Sequence, residues 1–172
     1  MARKIYASTD ALILSEPLES DLPICYNAWR DPDTERGYNH KCTDSFEDFC
    51  VWQKKPRRLF ASIVCNENNT VIDFLMLSPE GTEPDLAIVL SKPFRNRGYG
   101  TAAFSLGVKY CLDILKYDRI YAGCYPDNRA SRRMLEKCGF RPHPEGNIAE
   151  EHYLTGESIT QFDYVITPPI FT

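Results

Sequence analysis

The stretch that decides the fold is LAIVLSKPFRNRGYGT, residues 86 to 101. Its apolar start predicts a buried β-strand over Asp85 to Ser91, with both faces of the strand covered. Gly98 and Gly100 end the loop that follows, and the apolar periodicity after them predicts a helix over Thr101 to Lys116. The first N–H groups of such a helix have no partner within the helix, so this segment predicts an anion cradle.

A diphosphate is the ligand that this anion cradle favours. Glycines let the backbone approach a ligand closely, and Arg95 and Arg97 add positive charge. The segment is not a Walker loop, because no Gly-Lys-Ser/Thr follows, and it lacks the G-x-G-x-x-G spacing of a dinucleotide-binding fingerprint.

Elements on both sides of this segment predict an α/β fold with a mixed sheet in a single domain, residues 1–172. The strand at Leu12 to Leu14 is followed by a helix that begins near Ser20 and stops at Asp31-Pro32-Asp33, and residues 33 to 45 are an exposed loop. The other predicted elements are a helix over Ser45 to Lys54, strands over Leu59 to Cys65, Thr70 to Leu77 and Arg119 to Tyr125, a helix capped by Asp127-Asn128 that runs through Cys138, and strands over His152 to Leu154 and Thr160 to Ile166.

Composition narrows the class of protein. The formal charge of −4 argues against a nucleic-acid partner, and no apolar run is long enough to span a membrane. The N-terminal residues lack the apolar core of a signal peptide, and the seven cysteines stand singly without metal-ligand spacing. These features predict a cytoplasmic protein without a metal.

Two motifs carry a family resemblance. Arg95 to Gly100 matches the pattern R/Q-x-x-G-x-G/A, and Asn128 to Ser131 with the Gly139-Phe140 pair matches N-x-x-S/A followed by a helix that ends in G-F. In these motifs the sequence resembles the N-acetyltransferases of the GNAT superfamily. The segment Ala28 to Pro32 is similar to the branch that acetylates ribosomal-protein N-termini. The resemblance implies a mixed, mostly antiparallel sheet with a splayed parallel strand pair and flanking helices.

The resemblance also implies a cosubstrate, acetyl-CoA, and the residues that hold it. Backbone groups of Ile88, Val89 and Leu90 would pair with the pantetheine arm, and an N–H near Val89 would polarise the thioester carbonyl. Asn128 would contact the pantetheine or stand near the thioester, and Ser131 would lie close to the sulfur. The pyrophosphate would be held by the amides of Arg95, Asn96, Arg97, Gly98, Tyr99, Gly100 and Thr101.

Transfer to an amine requires removal of one proton and is helped by supply of another to the thiolate. The family's usual proton donor is a tyrosine four residues before the G-F pair, and this sequence has Leu135 there. Ser131, Tyr125 and a bound water remain as candidate donors. Asp85 is the candidate base, with the acids Glu83 and Glu35 as alternatives.

The acceptor side is predicted from the same resemblance to include Tyr38, His40 and His152, which suit a polar amine of a small molecule or of a peptide N-terminus. Homodimers are common in this family. Two alternatives stay open, namely a non-catalytic acetyl-CoA-binding sensor or regulatory module and a protein that binds another nucleotide. Cys124 lies in an apolar strand, which indicates packing, whereas Arg133 suits either a solvated helix face or a contact with the 3′-phosphate of the cofactor.

Overall fold

The computed structural model describes residues 3–168, so both ends of the predicted domain 1–172 lie outside the described residues. Its α-helices are α1 Leu22–Trp29, α2 Pro32–Gly37, α3 Phe46–Gln53, α4 Tyr99–Asp113 and α5 Arg129–Lys137. Its strands are β1 Ile5–Ser8, β2 Leu12–Ser15, β3 Phe60–Cys65, β4 Val71–Leu77, β5 Leu86–Leu90, β6 Ile120–Cys124, β7 Arg141–Pro142, β8 Ile148–Glu151 and β9 Ser158–Ile166.

The strands form two antiparallel groups that meet at one parallel pair. The first group has the order β1-β2-β3-β4-β5, and in the second β9 pairs with β6, β7 and β8. The groups meet where Asp85 bridges Tyr121 in parallel, and the N–H of Tyr121 donates to the carbonyl of Pro84 at 2.9 Å. Past this bridge β5 and β6 share no further ladder pairing. The predicted mixed, mostly antiparallel sheet with a splayed parallel pair is confirmed.

Strand β5 is buried on both faces, as its apolar run predicts. Ile88 and Leu90 pack against the core cluster that includes Ala103 and Phe104 of α4, whereas Val89 belongs to the cluster formed with α1 and α3. This alternation follows from the two-residue period of a strand. Helices therefore cover both faces of the sheet at the point where it splays.

The structure differs from the sequence-based prediction in the segment after α1. Asp31-Pro32-Asp33 ends α1 as predicted, but it also begins α2, inside the stretch predicted as a loop. The carboxylate of Asp31 caps α2 by accepting from the N–H of Asp33 at 3.1 Å, and Pro32 takes the first helical position. Because α2 has six residues and carries no apolar stripe, periodicity did not reveal it.

The prediction was also wrong near the C-terminal end and incomplete elsewhere. The strand predicted over His152 to Leu154 lies instead at Ile148–Glu151, and residues 153 to 155 form a turn. The short strands β1 and β7 were not predicted. Within residues 3–168, no helix has the length and apolar character needed to cross a membrane.

Candidate active site

A cavity of about 830 Å³ opens along the end of β5, beside Ile88, Val89 and Leu90. One wall comes from α2 and the residue after it, and the other from the start of α4 and from α5 along its length. Several predicted cofactor residues line it, namely Ile88, Val89, Leu90, Arg95, Asn96, Gly98, Gly100, Thr101, Asn128 and Ser131. Arg97 and Tyr99 belong to the same loop and helix start but are not among its lining residues.

The turn from β5 into α4 has the backbone geometry of a ligand cradle. Gly98 caps α4 with a φ of 85°, in the left-handed region that glycine adopts without strain. A Cβ at Gly100 would lie 3.2 Å from Cδ1 of Leu90, so the helix start packs closely against the strand. The unpaired N–H groups at the start of α4 lie beside the cavity and suit a phosphate.

The Arg95 side chain is engaged by protein groups. Its Nε donates to the carbonyl of Leu90 at 2.8 Å, and its Nη atoms contact Asp31 at 3.1 Å, Asp33 at 3.2 Å and Thr34 at 3.0 Å. Partial burial opposes ionisation of Asp31, but the bonds and charge of Arg95 lower the pKa of that carboxyl. Arg95 therefore joins the loop after β5 to α2, and its backbone N–H donates to the carbonyl of Lys92 at 3.3 Å.

The start of α5 forms the second wall of the cavity. Asn128 caps this helix, because its Oδ1 accepts from the N–H of Ser131 at 3.1 Å. A Cβ at Gly37 would lie 3.2 Å from Nδ2 of Asn128, so α2 and α5 nearly touch across the cleft. Arg133 also lines the cavity, and its side chain is exposed.

The outer edge of β5 faces the cleft through alternate residues. The N–H of Ser91 donates to Ile72 of β4 at 3.3 Å, so the backbone groups of Val89, two residues earlier, point towards β4 as well. Ile88 and Leu90 point the opposite way. The N–H of Ile88, not that of Val89, is therefore the one that faces the cleft.

The side chain of Tyr38 occupies part of the cleft-facing edge of β5. Its hydroxyl donates to the carbonyl of Ile88 at 2.6 Å and accepts from the N–H of the same residue at 3.1 Å. Burial, followed by the nearby charge of Asp85, raises the pKa of Tyr38, so the phenol stays protonated at neutral pH. This residue was predicted to contact substrate, and the structure places it inside the cleft.

Asp85 lies at the base of the splayed strands. Burial raises the pKa of Asp85 to about 7, and the charge of Asp163 adds to the shift. The residue as a whole is partly exposed, and it is not among the residues that line the cavity. Asp163 in turn contacts Nδ1 of His143 at 2.7 Å. Sequence reasoning missed His143 and Asp163, because 20 residues and a reversal of the chain separate them.

The segment that includes Tyr38 and the segment after β8 that includes His152 meet beside the cleft. Asn39 donates to the carbonyl of Glu151 at 2.9 Å and accepts from the N–H of Tyr153 at 3.0 Å. Nearby, the Tyr125 hydroxyl donates to the carboxylate of Glu150. Burial and this bond both raise the pKa of Tyr125. The Tyr125 hydroxyl is thus committed to Glu150.

Neither predicted histidine lies in the cavity. His40 is exposed, with its ring 6.3 Å from that of Trp29. Nδ1 of His152 accepts from the N–H groups of Leu154 and Thr155 at 3.4 and 3.3 Å, so this imidazole stabilises a local turn. The geometry gives no support to their assignment as substrate contacts.

The structure bears on the role of the cysteines and on metal binding. Cys124 is buried, and burial raises the pKa of its thiol, which suits the predicted packing role. All seven cysteines are free thiols. Among residues 3–168, no cluster of three or more histidine, cysteine, aspartate or glutamate side chains is arranged to hold a metal ion.

Comparison with known families identifies the class of protein. Residues 11–141 match the family described as "Acetyltransferase (GNAT) domain". This match covers most of the chain, and it includes the cradle, the helix α5 and the acceptor-side segment α2. The chain belongs to the GNAT acetyltransferase family.

Individual relatives agree with this assignment. A stretch of 57 residues is 46% identical to the probable N-acetyltransferase YjcK of Bacillus subtilis strain 168, but it spans only 33% of this chain and 30% of that protein. The GNAT acetyltransferase of Bacillus anthracis superposes with a TM-score of 0.79 at 20% identity over 94% of this chain and 97% of its own. The spermidine N-acetyltransferase of Vibrio cholerae, solved with CoA and spermine, gives 0.79 at 17% identity over 92% and 96%. At these identities the structures show a shared fold.

Proposed function

We propose that this protein moves an acetyl group from acetyl-CoA to a primary amine by direct transfer. The observation that carries the proposal is the cavity along the end of β5, which reaches the Gly98 turn and the free N–H groups of α4. A long ligand with a diphosphate at one end and an amide-containing arm fits such a cleft. Family membership supplies the acetyl-transfer chemistry.

The residues present suit each part of acetyl-CoA. Backbone amides from Arg95 to Thr101 would hold the pyrophosphate, and Arg133 and Lys137 offer charges at the rim. The cleft-facing backbone groups of Leu90 would pair with the arm, and the thioester at the end of the arm would reach Ile88. When bound, this cosubstrate provides an activated acyl thioester. The Vibrio cholerae enzyme was solved with CoA, which supports the same class of ligand here.

Asp85 would act as the general base. With a pKa of about 7, its carboxylate can accept a proton from the incoming ammonium at neutral pH. Ser131 lines the cavity and would supply a proton to the departing thiolate, directly or through water. Alignment of the two reactants in the cleft provides the remaining rate acceleration, as expected for a transfer without a covalent enzyme intermediate.

A cationic small-molecule amine is the acceptor that the site supports best. Asp85, Glu150 and Asp163 place three carboxyl groups on this side of the splay. The Vibrio cholerae relative carries spermine in its structure. A peptide N-terminus is the second candidate, because Ala28 to Pro32 resembles the branch that acts on ribosomal proteins.

The test is release of free CoA thiol from acetyl-CoA in the presence of polyamines, aminoglycosides, amino acids or short peptides. Amine-dependent release by the wild type, lost in D85N, would establish the transferase and its acceptor class. Tight acetyl-CoA binding without release by any amine would favour the non-catalytic module. Equal binding of acetyl-CoA and simple nucleotides would overturn the cofactor assignment.

Three further predictions belong to the proposal. A cytoplasmic location is supported by seven free cysteines, because reduced thiols persist in that compartment. A homodimer and the absence of a resident metal stay predictions. Sedimentation and elemental analysis of the purified protein test them.

A further inference from the structure

The Tyr38 hydroxyl takes up both polar backbone groups of a single β5 residue. It donates to the carbonyl of Ile88 at 2.6 Å and accepts from its N–H at 3.1 Å. The ring is fixed by Trp29, with centroids 4.9 Å apart. One phenol thus satisfies a donor and an acceptor that the splay of the strands would otherwise leave unpaired.

The position of Ile88 along the cleft tells which part of the cosubstrate would meet it. Strand β5 runs from the closed base of the splay at Asp85 to the phosphate cradle after Leu90. An arm that starts at the cradle meets Leu90 first and Ile88 next, near the carboxyl of the proposed base. The end of the arm is the acyl thioester, so its carbonyl oxygen and the Tyr38 hydroxyl would seek the same N–H.

We propose that Tyr38 is a specificity residue that distinguishes acetyl-CoA from free CoA, an inference that rests on the proposed function. The carbonyl oxygen of acetyl-CoA displaces the Tyr38 hydroxyl from the N–H of Ile88. Free CoA has no such oxygen, so Tyr38 keeps both hydrogen bonds when CoA is bound. The hydroxyl therefore opposes binding of the acylated form and returns to Ile88 once the acyl group has left.

The same exchange reaches the acceptor side. Asn39, the next residue, is hydrogen-bonded to the backbone of Glu151 and Tyr153. These two bonds connect the residue next to Tyr38 directly to the segment after β8.

The experiment is calorimetric titration of wild type and Y38F with acetyl-CoA and, separately, with CoA, in the absence of any amine. The phenylalanine keeps the ring against Trp29 and removes only the hydroxyl. Without competing hydrogen bonds at Ile88, Y38F is expected to bind acetyl-CoA about three- to tenfold more tightly. Its affinity for CoA is expected to stay within about twofold of wild type.

The matched control is Y26F. The Tyr26 hydroxyl also donates to a backbone carbonyl, that of Asp44 at 2.7 Å, but outside the cavity. Y26F is expected to leave both affinities unchanged. Equal shifts for the two ligands in Y38F, no shift, or weaker acetyl-CoA binding would each overturn the role of Tyr38. Failure of wild type to bind either ligand would instead refute the proposed function, so the two failures are distinguishable.

Discussion

Nη2 of Arg95 lies 3.1 Å from Oδ1 of Asp31, and this ion pair joins the loop after β5 to the helix α2 across the cleft. Both side chains are largely shielded, with 23% and 22% of their surfaces exposed. Through its side chain Arg95, the first residue of the motif, thus stabilises the framework of the cleft.

Replacement of Arg95 by alanine is expected to lower the free energy of unfolding by about 1–3 kcal/mol, because the Leu90 carbonyl and Asp31 lose their partner. Denaturant titration measures this loss. The matched control is R97A, which removes an exposed arginine two residues later and is expected to change stability by less than about 0.5 kcal/mol. Equal losses in the two variants would show that the ion pair has no stabilising role.

The pH dependence of the reaction tests Asp85. A base must be ionised to accept a proton, so activity controlled by Asp85 rises with pH through a midpoint of about 7. In D85N this rise in activity with pH is expected to disappear, and the rate is expected to fall about 100-fold. The pH dependence that comes from ionisation of the amine itself remains. Plots of kcat/KM against pH provide the measurement. E83Q removes an exposed neighbouring acid, and a similar loss in that variant would argue against Asp85.

Variants of Asn128 separate its capping role from its effect on the cofactor. N128A removes the bond to the N–H of Ser131 and is expected to cost about 1 kcal/mol of stability. N128D keeps an oxygen cap and should retain that stability. Its negative charge lies in the cavity, however, and is expected to weaken CoA binding. Parallel unfolding and calorimetric titrations check both effects, and unchanged CoA affinity in N128D would argue against a contact between Asn128 and the cofactor.

The proton donor is tested by paired removal of two hydroxyls. S131A removes the hydroxyl of a residue that lines the cavity, whereas Y125F removes one that is hydrogen-bonded to Glu150. We expect S131A to lower kcat more than Y125F does, with KM for acetyl-CoA nearly unchanged in both. Steady-state kinetics with a saturating amine measure the two rates. A larger loss in Y125F would assign the donor role to Tyr125.

Much of the fold could be predicted because the decisive patterns are local. The strand Leu86–Leu90, the turn at Gly98 and the helix that begins at Tyr99 follow from apolar periodicity and glycine placement within 28 residues. Helix α2 escaped prediction because its six polar residues have no periodic apolar face. The strand β8 was misplaced by a few residues because it is largely exposed and lacks a buried alternation.

The sequence by itself determined the cradle, the two cofactor motifs and the apolar strand that faces the cleft, since each depends on residues close together in the chain. Tertiary structure decided which side chains are free to act. It placed the Tyr38 hydroxyl on Ile88, 50 residues away, and bound the Arg95 guanidinium to Asp31, 64 residues away. It also buried Asp85, which raises the pKa of this carboxyl to about 7. Such contacts depend on how strands pair and helices pack, which no local pattern encodes.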